Sequence, residues 1–336
     1  VTPESSPPSK SRLPPVYRAP KWLPGGHAQT IYPLLIKPEP LPYRRERWDT
    51  PDGDFIDLDW IEAPAATRDD EVTPLVTLFH GLEGSSNSHY AIALMRALAT
   101  IGWGGVVVHF RGCSGEINRL PRAYHSGDSA EIDWVLQRLQ QQHPTRPLYA
   151  VGVSLGGNAL LKWLGEREFD TTGRIRAAAA ISAPLDLTAC GHHLARGFNR
   201  VYTKHFLQSL KQNAVAKLQR YPGLFDERRM RAADNLFDFD EVVTAPLHGF
   251  DGAADYWRRA SSKPWLGGIR LPTLLLNAQN DPFLPAHALP ARGQLPPAII
   301  AEFPHDGGHV GFVSGSLPGH LRWLPQRILH FFQHEV

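Results

Sequence analysis

From Pro74 onward, short uninterrupted apolar runs alternate with longer stretches whose apolar positions recur at helical spacing. LVTLFHG (75–81), GGVVVHFRGCSG (104–115), PLYAVGVS (147–154) and RAAAAISAP (176–184) read as buried strands with small-residue exits. SHYAIALMRALATIG (88–102) and NALLKWLGE (158–166) read as helices between them, and Asp128 with Glu131 three residues on suggests a capping box opening another. Strand and helix alternate with short links. That order predicts a mostly parallel sheet with helices on both faces.

Upstream, ERWDTPDGDFIDLDWIE (46–62) predicts a hairpin turning at Asp52-Gly53. KWLPGGHAQTIYPLL (21–35) is apolar enough to pack on the body of the fold. Residues 1–20, rich in Pro, Ser and basic residues, read as a tail, and PAATRDDEVTP (64–74) reads as a polar connection. The alternation breaks over 185–265, which holds helix-like stretches such as VYTKHFLQSLKQNAVAKLQRY (201–221) and no clear buried strand. It resumes at LPTLLLNAQNDPF (271–283) and AIIAEFPHDGGH (298–309), and HLRWLPQRILHFFQ (320–333) closes the chain as an amphipathic helix. The expectation is one α/β domain over 21–336 with a largely helical cap insertion at about 185–265. Such an insertion would sit over the carboxyl ends of the strands, where open α/β sheets bind ligands.

Composition narrows the class. The 336 residues are 42% hydrophobic and 20% charged, with a net charge of +2. That suits a globular core and gives no electrostatic case for nucleic acid. No run of apolar residues is long enough to span a bilayer, and the first residues carry no apolar core of a signal peptide. A cytoplasmic location is the simplest expectation. The two cysteines, Cys113 and Cys190, are then expected as free thiols. Peripheral membrane contact and oligomeric state stay open. With no G-x-G-x-x-G and no P-loop, neither a dinucleotide nor any other cofactor is expected.

The candidate chemistry lies at strand ends. Gly152-Val153-Ser154-Leu155-Gly156 fits G-x-S-x-G at a strand-to-helix turn, a setting that forces the serine into a strained backbone and presents its hydroxyl above the sheet. A serine hydroxyl needs a base. His309, in PHDGGHVGF after the last strand, is placed for it. Asp281, after the preceding strand, is the candidate to orient the imidazole. Asp186 and Asp306 are its rivals. The chain order Ser154, Asp281, His309 is the one this kind of sheet uses. Backbone N–H groups of Leu155 and, in HGLEG (80–84), of Leu82 are candidates for an oxyanion hole. Arg111 could grip a substrate anion but is read mainly as tying loops together. The His192-His193 pair lacks the i, i+4 spacing of a helical metal site, so no metal is expected.

With these residues in place, the chain resembles the YheT-type α/β-hydrolases, a branch of bacterial esterases and eukaryotic relatives linked to lipid-ester hydrolysis. The resemblance runs from about Lys21 to the C-terminus. It rests on GGHAQT (25–30), PDGDFIDLDW (51–60), FHGLEGSSNSHY (79–90), HFRGCSGEINR (109–119), YHSGD (124–128), VGVSLGGNAL (151–160), ISAPLDL (181–187), NDPF (280–283) and GGHVGF (307–312). It implies an α/β-hydrolase fold, Ser154 as nucleophile with Asp281 and His309, and carboxylic-ester hydrolysis of a small-molecule or lipid ester. An acyltransferase using the same three residues, a weakly catalytic ligand-binding protein and a peptidase are the rival readings. An aspartate-nucleophile dehalogenase or epoxide hydrolase is disfavoured by the serine at 154.

Overall fold

A computed structural model of the chain describes residues 16–36, 39–61, 73–171 and 173–336. Most of the expected tail and of the polar connection at 64–74 lies outside the described residues. Eight strands form one sheet in the order β1-β2-β4-β3-β5-β6-β7-β8. They are β1 (Arg44–Asp49), β2 (Phe55–Ile61), β3 (Leu75–Phe79), β4 (Gly104–His109), β5 (Leu148–Val153), β6 (Ala177–Ile181), β7 (Thr273–Leu276) and β8 (Ile299–Glu302). β2 pairs antiparallel with both β1 and β4, and the other neighbours are parallel. The hairpin expected at Asp52-Gly53 is β1–β2. Its register places Arg45 opposite Asp59 and Arg47 opposite Asp57, and both pairs form two-pronged hydrogen bonds.

Both faces of the inner parallel strands are buried, which explains their apolar runs, and only β8 at the edge is half-covered. Alternate residues feed opposite cores. Leu75, Phe79, Val106, Val108 and Ala150 face one core, with α3 (Ser129–Gln142) and α4 (Leu155–Arg167) against it. Val76, Leu78, Val107, Val151 and Val153 face the other, covered by α2 (His89–Thr100) and the C-terminal helix Trp323–His334. A short α1 (Gly26–Ile31) precedes the sheet.

Between β6 and β7 the chain is helical. It forms α5 (Leu187–Leu194), α6 (Arg200–Arg220), α7 (Glu227–Ala232), α8 (Leu236–Phe239), a π turn (Asp240–Thr244), α9 (Ala245–Leu247) and α10 (Ala253–Ala260). The Trp323–His334 helix is α11. These helices carry their own apolar cluster around Leu207, Met230, Phe239 and Val243, so the segment packs on itself as well as on the sheet.

The capping box expected at α3 does not form. Asp128 occupies the N-cap position without a side-chain cap bond. Its carboxylate is held instead by Arg122 at 2.6 and 2.7 Å, and Glu131 is held by Arg111 at 2.6 Å. A charge-assisted bond to arginine competes well with a bond to a backbone N–H, and both carboxylates take the arginine.

Candidate active site

The turn between β5 and α4 is built by exclusion. Ser154 has φ 52° and ψ −119°, outside the ordinary helical and strand regions. Such a turn brings the chain so close to itself that side chains cannot be tolerated on either flank. A Cβ on Gly152 would lie 2.5 Å from Gly156 O, and one on Gly156 would lie 2.4 Å from Phe79 O. The two glycines are therefore requirements of the turn. Ser154 N–H donates to Ile181 O at 2.8 Å, and Gly156 N–H donates to His80 O at 3.1 Å, so the strained residue is pinned from both sides.

Two loops at the same end of the sheet bring their side chains to this serine. His309 Nδ1–H donates to Asp281 Oδ2 at 2.8 Å, which leaves Nε2 to accept Ser154 Oγ–H at 2.9 Å. The Asp281 side chain is fully buried, and its other oxygen accepts Phe283 N–H at 2.7 Å. The Phe283 ring stacks on the His309 ring, with centroids 3.9 Å apart. The imidazole is thus fixed in tautomer by a carboxylate and in tilt by a ring. Neither rival carboxylate reaches it. Asp186 caps α5 by accepting Ala189 N–H, and Asp306 accepts from Asn280 and pairs with His305.

Three amides of the HGLEG loop are engaged. Gly81 N–H donates to Tyr90 Oη at 2.9 Å, Glu83 N–H to Tyr124 Oη at 2.8 Å, and Gly84 N–H to Gly81 O at 3.0 Å. Among the described residues, Leu82 N–H has no hydrogen-bond partner. The same holds for Leu155 N–H between the engaged amides of Ser154 and Gly156. Ser154, Leu82 and Leu155 border one cavity. His80 fixes the loop from below. Its Nδ1–H donates to Gly81 O at 2.7 Å and its Nε2 accepts Phe110 N–H at 3.1 Å. Burial pushes its pKa down to about 3, so it stays neutral.

Sequence reasoning left GGHAQT without a function, and here it is the clamp on the histidine loop. Thr30 Oγ1 accepts His309 N–H at 2.9 Å. Gln29 Oε1 accepts both Gly307 N–H and Asn280 Nδ2–H. A Cβ on Gly311 would lie 2.1 Å from Gln29 O, and one on Gly26 would lie 1.9 Å from Asn280 O, so these segments touch backbone to backbone. Tyr90, Tyr124 and Phe283 were missed likewise. Their only signal was membership of motifs carried by the family resemblance.

The cavity has a volume of ≈170 Å³, room for the equivalent of roughly ten waters. Ser154 and His309 line it, and Leu187, Leu194, Phe206, Leu210, Val243 and Trp257 supply apolar lining from the helical segment. Glu83 ties this segment to the HGLEG loop. Its carboxyl accepts Tyr124 Oη–H at 2.7 Å and Asn213 Nδ2–H of α6 at 3.0 Å, and burial raises its pKa. Lys217, further along α6, gives its ammonium to Asn118 Oδ1 at 2.6 Å and to Leu120 O, and burial lowers its pKa to about 8.

The remaining candidates are no part of the Ser154–His309–Asp281 chain, although Arg111 and Cys190 also line the cavity. Arg111 is ion-paired with Glu131, Asp52 and Asp54 at 2.6–3.1 Å. Cys113 and Cys190 are unpaired, and burial pushes both thiols well up. His192 packs edge-on against Trp257. Among the described residues no group of three or more His, Cys, Asp or Glu could hold a metal ion.

Comparison with known proteins agrees with this architecture. The family described as the alpha/beta hydrolase fold matches residues 74–316. The Escherichia coli (strain K12) protein named "Putative esterase YheT" is 42% identical over 306 residues, covering 90% of this chain and 88% of its own. Human "Phospholipase ABHD3" is 29% identical, covering 93% of this chain and 77% of its own. Among solved structures, naproxen esterase from Bacillus subtilis superposes with a TM-score of 0.52 at 18% identity, over 88% of this chain and 93% of that one. The chain belongs to the α/β-hydrolase fold family, as a hydrolase of the esterase and lipase kind. Within that family it belongs to the YheT-type branch.

Proposed function

We propose that the protein is a serine carboxylic-ester hydrolase that works without a cofactor through an acyl-enzyme on Ser154. The supporting observation is the unbroken chain Ser154 Oγ, His309 Nε2, His309 Nδ1 and Asp281 Oδ2, with contacts of 2.9 and 2.8 Å. Ser154 attacks the ester carbonyl while its proton passes to His309 Nε2. Asp281 holds the tautomer and stabilises the imidazolium. The carbonyl oxygen, now anionic, receives the unengaged N–H groups of Leu82 and Leu155. The alcohol leaves with the proton from His309. Water, activated by the same imidazole, then releases the acid.

The 185–265 segment acts as a cap whose apolar wall takes the acyl chain, and the ester is a small molecule or a lipid. The relatives, an esterase and a phospholipase by name, suit that class. The test is hydrolysis of p-nitrophenyl esters from acetate to palmitate by the parent and by Ser154→Ala. Turnover peaking at one chain length and lost in the variant supports the proposal and sizes the acyl pocket. Turnover retained in the variant overturns it. Repeating the assay with added alcohols separates hydrolysis from acyl transfer, since a transferase would form the new ester in place of the acid.

A further inference from the structure

We infer that the outer face of α5–α6, together with α1 and the turn after it, is a docking surface for an anionic lipid bilayer. The first observation is charge. The chain as a whole is close to neutral at +2, yet from Leu187 to Phe225 it holds six Lys and Arg and no Asp or Glu. The chain's average acid content would place roughly four there. Lys211, Lys217 and Arg220 give their charges to backbone carbonyls of neighbouring segments. Arg196, Arg200 and Lys204 are exposed and have no ion pair among the described residues.

The second observation is what lies between those three cations. Phe198 and Val201 are 53% and 54% exposed. Phe198 packs on His27 of α1 with ring centroids 4.7 Å apart. α1 runs on into a turn that presents Leu34 and Leu35 at 65% and 69% exposure. Tyr32 of that turn donates to Pro318 O, beside Leu317 at 70% exposure. The segments that carry these five exposed apolar side chains are thus linked by contacts, Phe198 to α1 and the turn after α1 to Pro318, with cations free of ion pairs next to Phe198 and Val201 in sequence. Isolated exposed apolar residues mean little, but a joined set beside unpaired cations meets both requirements for reversible bilayer binding: inserted apolar area and attraction to anionic headgroups.

The third observation is position. Tyr202 and Phe206 on the inner side of α6 pack against Phe283, which stacks on His309. The docking face is the outer side of the helix that roofs the serine, so a docked protein holds its cavity next to the lipid. No helix among the described residues is long and apolar enough to cross a membrane. The surface contact proposed here needs none.

The test is co-sedimentation of the full chain carrying Ser154→Ala, so that hydrolysis cannot alter the vesicles. The vesicles are pure phosphatidylcholine, or phosphatidylcholine with a third phosphatidylglycerol. The inference predicts binding to the anionic vesicles, weakened by added salt. Arg196→Ser/Arg200→Ser/Lys204→Ser should bind about a hundredfold more weakly, at about fivefold per cation. Phe198→Ser should weaken binding to both vesicle types. Tm and hydrolysis of soluble p-nitrophenyl butyrate, measured on the same surface variants in the Ser154 background, should stay at the parent's values, which separates lost docking from lost folding. No sedimentation of the parent with anionic vesicles, or equal binding by parent and triple variant, overturns the inference. Capture by heparin or DNA without vesicle binding overturns it in favour of a soluble polyanion. Vesicle binding without any ester hydrolysis leaves the docking surface standing and removes the proposed activity.

Discussion

Thr30 Oγ1 accepts the backbone N–H of His309 at 2.9 Å across 279 positions of sequence. The contact joins the start of the described chain to the loop that carries the imidazole. With Gln29 on Gly307 and Asn280, it makes the N-terminal segment part of the machinery that positions His309. Gln29→Ala would leave two donors without an acceptor in a buried place, a loss of about 1–3 kcal/mol in stability. Thr30→Ala should cost less stability, while lowering kcat by about tenfold as the histidine loop loosens. Thermal unfolding and ester kinetics on the two variants check both. Full kcat in both would mean the clamp is dispensable.

Asp281→Asn keeps the size of the side chain but donates where it should accept. His309 Nδ1 would then accept and its proton would sit on Nε2, which could no longer accept from Ser154 Oγ, and kcat should fall by about 10⁴ with little change in Tm. A loss no larger than tenfold would reassign the carboxylate's role.

The fold was legible because its signals are local and periodic. The inner parallel strands are short apolar runs, buried on both faces as such runs require, while β8 at the edge is only partly covered. The elbow was legible because G-x-S-x-G is a local pattern at a strand-to-helix turn, even though Gly156 answers to the Phe79 and His80 carbonyls as well as to its own turn. Gln29, Thr30 and Tyr124 were not legible. They act on residues tens or hundreds of positions away, and nothing in their local sequence says which backbone amide they meet. The capping box at Asp128 failed for the same reason. Its competitor, Arg122, comes from the preceding loop and is no part of the box pattern.

Tyr124 holds Glu83 twice, accepting from its N–H and donating to its carboxyl. Tyr124→Phe removes both bonds while keeping the ring in place between its aromatic neighbours. The account predicts a fall in kcat of ten- to a hundredfold with KM nearly unchanged, because Leu82 N–H is misaimed only toward the transition state. A change confined to KM would place Tyr124 in substrate binding.

Asp240 gives a pH signature. Burial raises its pKa from the usual carboxylate range to about 6, and it accepts Trp257 Nε1–H and Thr244 Oγ1–H. Between about pH 4 and 6 the folded form holds a proton that the unfolded form has lost. This group's contribution to stability therefore falls as pH rises through that window. Asp240→Asn keeps an acceptor and removes the charge. It should stabilise the protein at pH 8 by about 2 kcal/mol, with much of that gain gone at pH 4.5. Equal shifts at the two pH values would contradict this.

The central claim is that Ser154 is the nucleophile, and covalent labelling reads it directly. The parent is incubated with a fluorophosphonate, digested, and the modified peptide sequenced by mass spectrometry, alongside Ser154→Ala and His309→Ala. The account predicts one adduct, on Ser154, absent from Ser154→Ala and formed far more slowly in His309→Ala. An adduct on another residue, or none on a parent whose ester turnover is intact, would contradict it.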